Sequence, residues 1–483
     1  MILTIDVGTT TFKGALFDSS GKLSHSESLP MRMSSNGQAS HECDPSQWAD
    51  ALSVICRKFA AKGTIRAIVV SGNGPTLVPV LGKPACMAGS LAAPTAMARL
   101  WLDRRATAEA TEISTRMGLF VDASFSLPKA LYLYRQEREV YDRTLWFLSS
   151  FDFINYLLTD QARAVLHAED SQRWYWTDWM IQEIGLDTCK FPPFCKAGDL
   201  VGEVTPLAAS CLGLTAGTPV FAGGPDFFTS ILGTGAVELG RVCDRSGTSE
   251  GINLCTANPL DDSRLMTYLH PIKPYYNVSG IISTSGKAIG WAKDLFGFGQ
   301  ASFEKMYREM AKASPGAGGL VFLPYLSGER APIWDPQARA VFNGLSLSSG
   351  IPEMLRAVAE GVCLAMRDVI TVMEDLGGVV KQLRITGGPA ESEFLNQLKA
   401  DVTGKEVLVP TVQDAELVGS LVVALTALGD YPSLTSAANE IVRIRSIYQP
   451  DSRLENLYAE LFAQYRATYR NLRTTRAGEG EIR

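Results

Sequence analysis

Histidine is scarce in this chain, and cysteine shows no pairing by spacing. His25, His41, His167 and His270 stand far apart, and none of the 9 cysteines belongs to a Cys-x-x-Cys pair. Neither a zinc site nor a disulfide framework is therefore expected. No long basic run is present and the formal net charge is -6, which argues against a nucleic-acid partner. Arginine and lysine are missing ahead of Lys13, so no signal-peptide layout is read. A membrane-spanning run is missing too. The strongest apolar helical stretch, Leu417 to Leu428, falls short of the roughly 20 residues that a bilayer requires. The expectation is a cytoplasmic protein with no membrane association.

What is present is the balance of a folded protein, with 46% apolar and 20% charged residues over 483 positions. That length calls for two or three domains with sizeable cores. Strand-like runs at 2–7, 12–17, 67–71, 219–222, 277–282, 383–386 and 407–409 alternate with helical periodicity, the pattern of a mixed α/β protein. The longest predicted helix runs from about Pro352 to Leu376. It opens with proline near its first position, stops at Gly377-Gly378, and carries an apolar stripe suited to core packing.

Chemistry concentrates in a few turns. Asp6-Val7-Gly8-Thr9-Thr10-Thr11-Phe12-Lys13 lies between two β-rich runs, so backbone N–H groups and hydroxyls converge at a tip beside a carboxylate and an ammonium. Such a tip can cradle phosphate, with Lys13 as a point charge and Asp6 placed to hold Mg²⁺ through water. An ordinary β-hairpin is the alternative. Gly247-Thr248-Ser249 repeats the arrangement in the second half. The repetition suggests a duplicated fold with its boundary near 240–247, giving domains 1–243 and 244–472 and a frayed tail over 473–483. Between the two tips, 218–233 reads as strand, glycine turn and helix, with Asp226 at the helix start. A carboxylate there is favoured by the helix dipole and serves either as a cap or as the proton acceptor in phosphoryl transfer. Residues 383–397 repeat strand, glycine turn (Gly387-Gly388) and helix, which lets a flat ring or phosphate approach the backbone. The stretch 280–288 fails the P-loop pattern, since Ala288 stands where Ser or Thr is needed.

Together these segments resemble the FGGY family of carbohydrate kinases. The most specific match is the run Phe322 to Leu345, containing Leu323-Pro324-Tyr325-Leu326-Ser327-Gly328-Glu329-Arg330. The resemblance implies a two-domain actin-like, ribonuclease H-like α/β fold with ATP in the interdomain cleft and Mg²⁺ as cofactor. It implies Asp6, Gly8, Thr9, Thr10, Thr11 and Lys13 at the phosphates and metal, Gly247, Thr248 and Ser249 at the second hairpin, and Asp226 as catalytic base. Gly387, Gly388, Pro389 and Ser392 would carry adenosine. Sugar contacts would come from the loops holding Asn73 and Trp101, Asp103 and Arg104; loop solvation or a salt bridge is the alternative for the polar ones. The sugar loop Gly72-Asn73-Gly74-Pro75-Thr76 departs from both the xylulose kinase and the glycerol kinase patterns. Lys129-Ala130-Leu131-Tyr132 looks like the family's Lys-x-x-Trp segment with Tyr for Trp. Trp174-Tyr175-Trp176, after Asp170-Ser171, adds aromatic bulk that enters either the pocket or the core.

The expected activity is ATP-dependent phosphorylation of a small sugar or polyol, with a ketopentose such as xylulose placed first. Glycerol, ribulose or erythritol kinases, an actin-like ATPase, and a sugar sensor remain the alternatives. A homodimer is carried over from the family as an expectation.

Overall fold

The computed structural model describes residues 1–479 except 38, 88, 169, 170, 173 and 174. The chain divides into two compact units. The first comprises Met1–Gly233 with Asp414–Val442, and the second comprises Thr234–Gln413 with the residues from Arg443 onward.

In the first unit the sheet strands are β1 (Ile2–Val7), β2 (Thr11–Phe17), β3 (Leu23–Pro30), β4 (Ala67–Gly72), β5 (Leu200–Glu203) and β6 (Pro219–Pro225), ordered β5-β6-β4-β1-β2-β3. β1, β4 and β6 run parallel, while β1, β2 and β3 form an antiparallel meander. β1 and β4 are buried along their whole length, which explains their near-continuous apolar sequences. Leu3, Ile5 and Val7 share a core with Trp48, Leu52, Ile55 and Phe59 of the helix Ser46–Ala60. Alternation sends Ile2, Thr4 and Asp6 to the other face. The helix Ala415–Ala427 packs on β1 and β4. It is apolar on nearly every side, with 417–425 all buried, and so needs cover all round. That need draws 414–442 into the first unit and interrupts the second half expected as a continuous stretch of 244–472. Its crossing with the helix Asp226–Thr234 is close: a Cβ on Gly419 would lie 1.8 Å from the Thr229 carbonyl oxygen, and one on Gly233 1.8 Å from that of Ala415.

The second unit carries β7 (Arg241–Ser246), β8 (Glu250–Thr256), β9 (Met266–Leu269), β10 (Tyr276–Ile282), β11 (Gln382–Thr386), β12 (Glu406–Pro410) and β13 (Ile444–Tyr448), ordered β9-β10-β8-β7-β11-β12-β13. β7, β11 and β12 are parallel, and β7, β8 and β10 are antiparallel. The plan of the first unit recurs: a hairpin, a third antiparallel strand, then two parallel strands beyond the first. The helix Ile351–Asp375 fills the core beneath, with Pro352 in its first turn and the Glu353 carboxylate accepting from the Gly350 N–H at 2.9 Å. Phe322, Leu323 and Tyr325 are buried with it. Glu329 of the same run accepts from the N–H groups of Ser283 (2.6 Å) and Arg330 (2.8 Å), and burial pushes its carboxyl up to about 7.

Two further expectations meet a different structure. Cys86 and Cys211 form a disulfide, with Cα atoms 6.0 Å apart and 125 positions between them in sequence; so wide a separation leaves no spacing signature. Of the tail expected to fray over 473–483, the residues up to Glu479 belong to the helix Glu455–Glu479, anchored upstream by buried Tyr458, Leu461 and Tyr465, and 480–483 lie outside the described residues. Among the described residues no helix is long and apolar enough to cross a membrane.

Candidate functional site

Strand register assembles the first part of the site. Parallel pairing sets Asp6 of β1 opposite Ser71 of β4, and Ser71 opposite Gly224 of β6. The residues that follow these strands, Gly8, Asn73 and Asp226, therefore emerge at one end of the sheet, where the carboxyl ends of parallel strands place ligand-binding loops. Asp6 is buried and its Oδ1 accepts from Ser71 Oγ at 3.1 Å. Burial, then the charges of Glu416 and Asp226, push its carboxyl up to about 8. Asp226 starts the helix Asp226–Thr234, and its carbonyl accepts from Ser230 Oγ at 2.7 Å.

Lys13 lies on β2 opposite Asp6. Its ammonium meets Asp414 Oδ1 at 2.5 Å. Burial opposes the charged form, but Glu416 and Asp414 outweigh it and hold Lys13 above the usual lysine range. Gly8, Thr9 and Thr10 form the tip between β1 and β2, and Thr11 begins β2. Thr9 Oγ1 accepts from Trp101 Nε1 at 3.1 Å, which brings the loop after 98–99 to the tip.

The loop side chains named from sequence fare differently. Asn73 is buried; its Oδ1 accepts from Thr76 Oγ1 at 2.6 Å, and its Nδ2 has no hydrogen-bond acceptor among the described residues. Asp103 is buried as well, but its oxygens accept from the N–H groups of His41 (2.9 Å) and Arg105 (3.1 Å) and from the Arg105 guanidinium (2.6 Å). Burial alone would raise this carboxyl; the bonds from Arg105 and His41 hold it below the usual range. Arg104 is exposed and paired with Asp122. Trp176 stacks on Phe194 with centroids 5.1 Å apart, and Tyr175 lies edge-on to both, so these two rings belong to the core. Asp170 and Trp174 lie outside the described residues.

Sequence reasoning assigned no role in the site to Asp414, Glu416 or Lys129. Asp414 and Glu416 set the charge around Lys13, though an acid at a helix start reads as an ordinary cap. Lys129 is buried in the helix Ser126–Gln136, and its ammonium donates to the carbonyls of Pro75 (2.9 Å), Leu100 (2.8 Å) and Arg99 (3.3 Å). It thus ties the Asn73 loop to the Trp101 loop, and burial lowers it to about 7. A lone lysine within the apolar run Leu127–Leu133 was the available signal.

The second unit carries a tip of its own at one end of its sheet. Ser246 pairs with Glu250, which leaves Gly247, Thr248 and Ser249 as a three-residue tip. Gly387 follows β11 with φ +94°, and a Cβ there would stand 1.9 Å from the Ser246 carbonyl oxygen, so only glycine passes. Gly388 and Pro389 continue in a short 3-10 turn. Ser392 is buried, with its hydroxyl accepting from Leu395 N at 3.3 Å as the cap of the helix Glu393–Thr403.

Among the described residues, no group of three or more His, Cys, Asp or Glu side chains is arranged to hold a metal ion by itself. Asp226 nevertheless lies near enough for its charge to raise the proton affinity of Asp6. One or two carboxylates completed by substrate phosphates is the donor set that suits Mg²⁺.

Residues 1–233 match the N-terminal domain, and residues 245–428 the C-terminal domain, of the FGGY family of carbohydrate kinases. Xylulose kinase of Staphylococcus epidermidis is 27% identical over 496 residues, covering 97% of this chain and 96% of the relative. Gluconokinase of Bacillus subtilis is 22% identical, covering 91% and 90%. The crystal structure of ligand-bound xylulose kinase from Lactobacillus acidophilus matches with a TM-score of 0.85 at 24% identity, covering 98% of each chain. That of Plasmodium falciparum glycerol kinase with ADP matches at 0.80 and 19% identity, covering 97% of each.

Proposed function

Because this chain belongs to the FGGY family of carbohydrate kinases, we propose that it transfers the γ-phosphoryl group of ATP to a hydroxyl of a ketopentose, with xylulose the first candidate. The observation that carries this reading is the convergence of Asp6, Asn73 and Asp226 at one sheet end beside the Gly8–Thr10 tip. Full-length similarity to xylulose kinases supports the choice of sugar.

Phosphoryl transfer asks the protein mainly for positioning and charge stabilisation. Asn73 offers an amide donor to a sugar hydroxyl. Asp226 accepts a hydrogen bond from the reacting hydroxyl, aims it at the γ-phosphorus, and takes its proton as the new bond forms. Backbone N–H groups and hydroxyls at 8–11 hold phosphate oxygens, and Lys13 offsets their charge. Gly247, Thr248 and Ser249 supply the second hold on phosphate, and Gly387, Gly388 and Pro389 let adenosine approach the backbone. Asp6, with Asp226 nearby, would hold Mg²⁺, which when bound neutralises phosphate charge. Trp101, fixed on Thr9, bounds the sugar side. Asp103 and Arg104 act by shaping that loop. The cytoplasm and a homodimer are the setting and assembly that go with this reading.

Release of ADP should be measured with xylulose, ribulose, erythritol, glycerol, gluconate and no acceptor. Sugar-dependent turnover led by a ketopentose is expected. Equal rates without any acceptor would make the chain an ATPase and end the proposal. The gluconokinase relative makes gluconate the second reading, and fastest turnover with gluconate would select it. Asn73→Ala is expected to raise KM for the sugar by about 10–100-fold, the loss of one buried hydrogen bond to substrate, with KM for ATP unchanged.

A further inference from the structure

Beneath the Gly247–Ser249 tip lies a buried ionic cluster that the proposed chemistry does not use. Lys399, on the helix Glu393–Thr403, directs its ammonium at Asp244, Ser246 (2.6 Å) and Glu250. These three acceptors match the three donors of an ammonium. Asp244 and Ser246 belong to β7 and Glu250 to β8, so one lysine grips both arms of the hairpin. Ser246 Oγ also donates to Glu250 Oε1 at 2.6 Å, and Ser285 Oγ donates to Glu250 Oε2 at 2.5 Å. Ser285 opens the helix Gly286–Leu295, whose first N–H groups reach the tip: Gly286 N donates to the Gly247 carbonyl at 2.9 Å, and Ser285 N to that of Thr248 at 3.2 Å. A continuous chain of contacts thus runs from Lys399 through Glu250 and Ser285 to the turn itself. Asp244 and Glu250 are 0% exposed and Lys399 is 5% exposed.

Such a cluster is a poor device for stability, since removing charges from water costs about as much as their attraction returns. Its placement gives it another use. We infer that Lys399, Asp244 and Glu250 are positioning residues for nucleotide binding, fixing the second hairpin from below and keeping uncompensated negative charge from accumulating under a turn that receives phosphate. This rests on the reading of Gly247–Ser249 as a phosphate-binding tip. Two acids share one ammonium. With one acid protonated the cluster is neutral, and burial together with the neighbouring Glu250 favours the proton on Asp244. Losing Lys399 would leave a buried carboxylate facing an anionic ligand across the turn.

Steady-state constants of the full chain test this. Lys399→Met is expected to raise KM for ATP at least tenfold while KM for the sugar stays near wild type. Adding Glu250→Gln to Lys399→Met removes the remaining carboxylate together with its lysine and should bring KM for ATP back at least threefold. A lowered melting temperature with KM for ATP unchanged, or an equal rise in both KM values, overturns the inference. Should Lys399→Met not fold, Glu250→Gln preserves shape and breaks the ion pair; a raised KM for ATP supports the inference and an unchanged one refutes it. Thr248→Val is the control on the premise. If it leaves KM for ATP unchanged, the phosphate reading of the hairpin fails. If it raises that KM while the cluster variants do not, only the positioning role fails.

Discussion

Replacing Asp226 by Asn is expected to lower kcat by about 10²–10⁴-fold, the range for a positioned acid–base group, while ATP still binds. Asparagine keeps the size of the side chain and its place at the start of the helix, but it cannot accept the hydroxyl proton. The loss should fall equally on kcat and kcat/KM for the sugar, as for an interaction made only in the transition state. Single-turnover rates and nucleotide titration of the same preparation would check both halves. Turnover near wild type would refute the role of Asp226. Loss of nucleotide binding together with turnover would mean that the substitution disturbs the helix it begins.

Lys13→Met is expected to weaken ATP binding by about 10²-fold, the upper end of the worth of one charge-assisted hydrogen bond. Its surroundings put it there. Lys13 stands among Asp6, Asp414 and Glu416, so removing it leaves carboxylates facing an incoming triphosphate. Sugar affinity should be unaffected, and calorimetry with each ligand separately would show the split. The pH behaviour has a definite sign. Lys13 binds its proton more tightly in the folded chain than in the unfolded one. Its stabilising contribution is therefore complete below the unfolded lysine pKa of about 10.4 and is lost only as pH rises through the higher folded value. The melting-temperature gap between wild type and variant should hold from pH 6 to about 7 and widen as the Asp6 carboxyl, pushed up to about 8, loses its proton beside Lys13; a gap that closes between pH 6 and about 9 would contradict the ion pair.

The sheet skeleton was legible because its signals are local. β1, β2 and the helix Ile351–Asp375 announce themselves by apolar runs, a glycine turn and helical periodicity. The turns at 8–10 and 247–249 could be read for the same reason. The fate of a loop side chain depends on contacts far along the chain. Asp103 and Asn73 look equally suited to a sugar, yet the backbone of His41 and the guanidinium of Arg105 occupy Asp103, while Asn73 keeps a buried donor. Ser392 offers a hydroxyl in the expected turn and uses it as a helix cap. Lys129 stands out in sequence only as part of a family-like segment and Lys399 not at all, until burial reveals them as the centres of polar clusters. Cys86 and Cys211 lack any spacing motif because their pairing is tertiary.

The return of 414–442 to the first unit constrains how the protein can be made. A nascent chain that has reached Gly233 has all six strands of its first sheet but not the helix Ala415–Ala427 that packs on β1 and β4. Until that late segment leaves the ribosome, a greasy surface waits uncovered, open to holding chaperones or to aggregation. Cutting the gene at the midpoint would yield halves that each lack something only the other encodes, whereas co-expressing 1–233 with a peptide spanning 414–442 should restore solubility to the early half.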